Sequence, residues 1–179
     1  STFRNLIFNQ QKMRAPKTFR LHIGIFGKRN TGKSSILNAL THQDVSIVSD
    51  VAGTTTDPVE KPMELLPLGP VLFIDTAGID DVGHLGEKRI TKTLAVFDRT
   101  DLGVIVTNFS DWGDFENKIM AEFKTRKIPF VIVFNKIDIF TENPVITSQL
   151  KNIKVKYVFT SATNGIGLLD LRQLLLRSA

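Results

Sequence analysis

Apolar residues gather along the chain in short, nearly unbroken runs: Leu21–Phe26, Val71–Ile74, Leu102–Thr107, Phe130–Phe134 and Tyr157–Thr160. Runs of this length that do not alternate with polar residues predict strands buried on both faces. Between them lie stretches with apolar residues at helical spacing: Lys33–Leu40, Leu85–Phe97, Phe115–Lys127, Val145–Leu150 and Leu168–Leu176. Strands and helices in alternation predict a mostly parallel sheet covered on both faces. Val59–Leu66 reads as one further strand, turned into the next by Pro67-Leu68-Gly69-Pro70. That hairpin places an antiparallel strand at the sheet edge. The expected architecture is therefore α/β, three layers around a six-stranded, mostly parallel sheet.

Composition adds a size and an exclusion. A chain of 179 residues, 42% hydrophobic and 23% charged, fits one domain with a substantial core. Without cysteine there is no disulfide, no thiolate nucleophile and no iron–sulfur cluster held by cysteines of this chain. The net charge of +5 is unevenly placed. Arg4, Lys12, Arg14, Lys17 and Arg20 share the first twenty residues with no acid, and the remainder balances. The expected organisation is a basic tail over 1–20 and one domain over 21–179. The neutral body leads us to expect no nucleic-acid partner. The tail's only apolar run, Leu6-Ile7-Phe8, is too short for a secretion signal, and no stretch approaches a membrane span. No membrane partner and a cytoplasmic location are expected.

The residues with chemical character follow the strands, where open α/β sheets bind ligands. After the first strand comes Gly27-Lys28-Arg29-Asn30-Thr31-Gly32-Lys33-Ser34, then Ser35, matching the phosphate-cradling pattern G-x-x-x-x-G-K-[ST]. Its glycines let backbone N–H groups face an anion, and the following helix adds its positive end. Lys33 would reach the β- and γ-phosphates and Ser34 would ligate Mg²⁺. After Val71–Ile74 comes Asp75-Thr76-Ala77-Gly78, with Asp75 placed to hold the ion and Gly78 to meet the γ-phosphate. After Phe130–Phe134 comes Asn135-Lys136-Ile137-Asp138. Guanine offers an N1–H and a 2-amino donor that the Asp138 carboxylate can accept together, and adenine does not. The Lys136 stem can lie on the base, and Asn135 can tie this loop to the phosphate loop. Ser161 and Ala162 follow the last strand, with the Ala162 N–H expected on guanine O6. In the polar loop over 49–57, Thr55 is expected to reach Mg²⁺ when the γ-phosphate is present.

Together these motifs resemble the TrmE–Era–Der class of GTPases over residues 21–177. The likeness rests on the phosphate loop with Asn30, Gly53-Thr54-Thr55-Thr56-Asp57, Asp-Thr-Ala-Gly at 75–78, Asn-Lys-Ile-Asp at 135–138 and Ser-Ala-Thr at 161–163. It implies the Ras-like P-loop GTPase fold and Mg²⁺-dependent hydrolysis of GTP to GDP and phosphate. The class motif G-T-T-R-D carries Thr56 here in place of arginine. Residues 45–59, Met63-Glu64-Leu65 and the run Asp80-Asp81-Val82-Gly83-His84-Leu85-Gly86 after 75–78 resemble more narrowly the HydF family, the GTPase scaffold of FeFe-hydrogenase maturation. That likeness implies downstream dimerisation and cluster-binding domains, a homodimer partner, the radical-SAM maturases and the hydrogenase apoprotein as partners. A tRNA-modification or ribosome-assembly GTPase is the alternative within the same chemistry. A GTP-binding module without useful hydrolysis is the alternative of another class.

The group that orients the attacking water is not legible. Ile79 stands directly after Gly78 and can neither accept nor donate a hydrogen bond. Asp80, Asp81, His84 and Glu87 offer polar groups in that segment, and none is assigned as base. Arg29 reaches either phosphate or solvent. Asn30, which in the resembling class is associated with potassium activation, either shares K⁺ with the phosphates and with backbone oxygens of Ser49 and Val51, or only bonds its own loop. Slow intrinsic hydrolysis is expected. Trp112 and Phe115 are expected either at a partner interface or, in the alternative, as an isolated surface aromatic and a core residue respectively.

Overall fold

The computed structural model of the chain describes residues 20–41, 59–65, 67–76 and 94–179. The strands are β1 (Leu21–Phe26), β2 (Val59–Leu65), β3 (Gly69–Asp75), β4 (Leu102–Thr107), β5 (Phe130–Phe134) and β6 (Lys156–Phe159). The helices are α1 (Lys33–Thr41), α2 (Asp114–Arg126), α3 (Pro144–Asn152) and α4 (Leu168–Ser178), with a helical stretch over 94–99. One six-stranded sheet has the order β2-β3-β1-β4-β5-β6. All neighbours are parallel except β2 with β3. This is the expected P-loop GTPase architecture.

Alternation along each strand divides the core. Ile23 and Ile25 of β1, Val104 and Val106 of β4, and Val131 and Val133 of β5 face α1 and α4. Their neighbours Phe26, Ile105, Ile132 and Phe134 face the other layer, where Phe97, Phe123, Ile146 and Leu150 pack. A strand whose successive residues enter opposite cores must be apolar at every position, which explains the unbroken runs. On the second face Phe26, Phe97 and Phe123 form a ring cluster with centroids 4.6 to 5.3 Å apart.

The structure shifts some boundaries for local reasons. Gly69 and Pro70, expected in the turn, lie in β3 opposite Leu65 and Glu64. Pro62 is accommodated in β2 because β2 is an edge strand. Helix α2 stops at Arg126 because Lys127 turns left-handed at φ 58°. Strand β6 spans Lys156–Phe159, and Thr160 sits just past its end. Of the expected helix over 85–97, the part before 94 lies outside the described residues.

Candidate nucleotide site

The phosphate loop runs from the end of β1 to the start of α1, at the carboxyl ends of the parallel strands. Space and backbone geometry fix its two glycines. A Cβ on Gly27 would lie 2.3 Å from Val106 O, so only glycine lets the loop cross β4 this closely. Gly32 has φ +93°, and a Cβ there would lie 2.2 Å from Asn135 Nδ2. Thr31 Oγ1 donates to Lys28 O at 2.8 Å, and Ile36 N–H donates to Gly32 O at 2.9 Å as α1 begins. Asn30 adopts φ 63° at the exposed tip. Arg29 and Ser35 are exposed.

Lys33 is only 7% exposed. Burial pushes its ammonium down to about 8, against an opposing pull from the Asp75 charge. With a value near 8 the ammonium stays mostly charged at neutral pH, and an anion placed beside it would favour the charged form further. Asp75 is fully buried at the tip of β3, paired in register with Ile25 of β1. Ser34, in the first turn of α1, supplies a hydroxyl from the neighbouring element. Hydroxyl and carboxylate oxygens are the hard donors that Mg²⁺ takes, so the described part of the donor set fits that ion. Among the described residues there is no cluster of three or more His, Cys, Asp or Glu.

A second set of contacts, missed in the sequence, holds the start of the loop. Lys28 Nζ donates to Asp111 O at 2.5 Å and lies 3.2 Å from Glu116 Oε1. Glu116 is 1% exposed and also accepts from Thr107 Oγ1 at 3.1 Å. Asn108 shapes the intervening turn: its Oδ1 accepts from the N–H groups of Ser110 and Asp111 at 2.9 and 2.8 Å. A signal existed in the sequence: Glu116 is the one acid on the stripe Glu116, Ile119, Met120 and Phe123 that α2 buries. Trp112 and Phe115 both pack partly buried against the second-face core, so Trp112 is not the isolated surface aromatic of the alternative expectation: its ring lies 5.6 Å from that of Phe134.

The loop after β5, Asn135-Lys136-Ile137-Asp138, is joined to the phosphate loop through Asn135. Its Nδ2 donates to Thr31 O at 3.0 Å, and its Oδ1 accepts from Thr160 Oγ1 at 2.9 Å and Ala162 N–H at 3.1 Å. The Ala162 N–H thus ties the turn after β6 to the same amide that holds the phosphate loop. Thr160, also missed in the sequence, is buried because its hydroxyl supports that amide. Lys136, at φ 58°, donates from Nζ to Asn30 O, so its stem spans from one loop to the other. Asp138 is exposed, and its Oδ1 accepts from Ser161 Oγ at 2.9 Å, which in turn accepts from Asn164 Nδ2 at 2.9 Å. One carboxylate oxygen is thereby fixed while the side chain stays open to a ligand.

Ser49, Val51, Thr55, Gly78, Asp80, Asp81, His84 and Glu87 lie outside the described residues. The structure therefore brings together the phosphate loop, Asp75, Asn135, Lys136, Asp138, Ser161 and Ala162.

The family model for 50S ribosome-binding GTPases matches residues 22–136. The tRNA modification GTPase MnmE of Mesoplasma florum is 35% identical over 162 residues, covering 90% of this chain and 35% of that protein. GTPase Der of Wolinella succinogenes is 41% identical over 129 residues, covering 70% of this chain and 27% of that protein. The chain thus spans about a third of the length of these curated relatives. A solved structure of Era with MgGDPNP and nucleotides 1506–1542 of 16S ribosomal RNA superposes with a TM-score of 0.71 at 28% identity, covering 88% of this chain and 56% of that one. These likenesses overturn the expectation that nucleic acid is excluded as a partner. A balanced total charge says nothing of where the charges lie, and that expectation had been read from the total.

Proposed function

Since the chain belongs to the family of 50S ribosome-binding GTPases, we propose that it is the GTP-hydrolysing switch domain of a larger protein acting in tRNA modification or ribosome assembly. That the chain is a GTPase follows from the family itself. The observation that carries the wider reading is the 35% identity to a tRNA modification GTPase across 90% of the chain. In this reading the phosphate loop and Lys33 grip the phosphates, while Asp138 accepts the paired donors of guanine. Asn135 keeps the two loops at a fixed separation. Ser34 and Asp75, with Thr55, would hold Mg²⁺, which supplies positive charge at the phosphoryl oxygens. Asn30, with Ser49 and Val51, would hold K⁺, adding charge where no arginine follows the switch threonines. With Ile79 unable to orient water, intrinsic turnover is slow. Among the described residues no helix is long and apolar enough to cross a membrane.

A second reading rests on one feature, the run Asp80–Gly86 resembling HydF, and would make this the GTPase domain of a hydrogenase-maturation scaffold. The two readings separate in a gene deletion of the full-length protein. Loss of a modified tRNA nucleoside by mass spectrometry, or accumulation of free ribosomal subunits, supports the first. Normal tRNA and ribosomes together with inactive hydrogenase would replace it with the second.

A further inference from the structure

The strands begin about 15 Å from the nucleotide loops, and a cleft of about 560 Å³ opens there against the C-terminal ends of α2, α3 and α4. Its charged lining is Lys124, Lys127, Lys154, Lys156 and Arg177, with no Asp or Glu. Among the described residues none of these five forms an ion pair. Arg126, one residue before Lys127, contrasts with them in binding both Asp98 and Glu122.

Cations at helix C-termini offset the helix dipole, which accounts for part of this charge. The dipole does not account for the backbone that carries it. Lys127 and Lys154 both sit at φ 58°. Each closes its helix in the same way. Lys127 N–H donates to Lys124 O and Ile128 N–H to Phe123 O; Lys154 N–H donates to Lys151 O and Val155 N–H to Leu150 O. Glycine fills this left-handed closing position without strain. Lysine at both positions adds two ammonium groups to one cleft at a conformational cost.

We propose that this cleft binds the phosphate backbone of RNA, giving the domain a ligand surface separate from its nucleotide loops. Unpaired lysines act as point charges that displace the counterions of a phosphate chain. Half-buried Phe130 and exposed Ile153 add apolar surface to the lining, and the aromatic face suits an unstacked base. Five cations and no acid in the lining suit a polyanion whose charges repeat along its backbone, and an acidic peptide is the competing occupant that the test separates. The proposal stands on charge and backbone geometry and does not depend on the tRNA-or-ribosome reading.

The test is fluorescence anisotropy of labelled polyuridylate with the 179-residue chain and its Lys127→Gly, Lys154→Gly double variant. Glycine relieves the two left-handed positions, so folding is preserved. The variant is expected to bind about tenfold more weakly, and its log–log salt dependence to flatten by about 1.4. GTP hydrolysis in the same samples stays unchanged, so failure here is distinguishable from failure of the GTPase reading. Wild-type chain that does not bind, a variant within twofold of wild type, or an unchanged salt slope overturns the proposal. Displacement of the RNA by polyglutamate at equal charge concentration would assign the cleft to an acidic protein segment instead, which also overturns it.

Discussion

Asn135→Ala removes one amide that three loops share. The lost contacts are those to Thr31 O at 3.0 Å, from Thr160 Oγ1 at 2.9 Å and from Ala162 N–H at 3.1 Å. A buried hydrogen bond contributes about 1 kcal/mol net, so the three together are worth about 3 kcal/mol. Thr31 and Thr160 are fully buried, so water cannot easily replace the missing partner. Against a total stability of about 5–15 kcal/mol, this is a large loss. With a urea slope of about 2 kcal/mol/M, the unfolding midpoint should fall by about 1.5 M. Nucleotide affinity should fall as well, because the phosphate and base loops lose their common strut. If about half of the loss is felt in the complex, GTP binding weakens about tenfold. Urea unfolding by circular dichroism and titration with a fluorescent GTP analogue measure the two effects. Asn135→Asp keeps the acceptor but sets a carboxylate against Thr31 O, and should fall below wild type in both assays. A stability loss under about 0.5 kcal/mol with unchanged GTP affinity would show that each loop holds its own shape, and the reasoning would be wrong.

Three further outcomes follow from other parts of the site. Lys28→Met leaves Glu116 buried without its cation; because Lys28 is one-third exposed, screening limits the loss to about 2 kcal/mol. Adding Glu116→Gln should recover part of that loss in the same urea assay, and no recovery would refute the pairing. Lys33 has a folded-state value of about 8, below its ordinary 10.5. The unfolded chain therefore holds an extra proton between those values, so the contribution of Lys33 to stability rises with pH across that window. Below it, the buried charge costs about 3 kcal/mol. Unfolding of nucleotide-free, Mg²⁺-free protein from pH 7.5 to 10 should show this rise relative to Lys33→Met, and parallel profiles would contradict it. Asp138→Asn should weaken GTP about a hundredfold by removing two charge-assisted acceptors. It should favour xanthosine triphosphate, whose C2 oxygen suits an amide donor; competition binding reads both, and retained guanine preference would reject the assignment.

The sheet was legible because double burial forces apolar strands, as Val131–Phe134 illustrates with alternate residues entering opposite cores. The phosphate loop was legible because phosphate chemistry demands particular residues at fixed intervals between a strand and a helix. The supporting contacts were not. Glu116 and Thr160 lie far in sequence from the loops they steady, and nothing local marks their partners. Lys127 and Lys154 were equally hidden, since left-handed backbone at lysine has no compositional sign. The basic cleft escaped notice because summing charge over the chain erases its placement.

The strap from Lys136 Nζ to Asn30 O and the amide of Asn135 tie the loop after β5 to the phosphate loop at two points. On the proposed reading of these loops, evolution or an engineer seeking a different base would loosen the grip on the triphosphate by retuning either of those two positions. Asp138, exposed and steadied by one serine, is the place where preference can drift while affinity for the rest of the nucleotide survives.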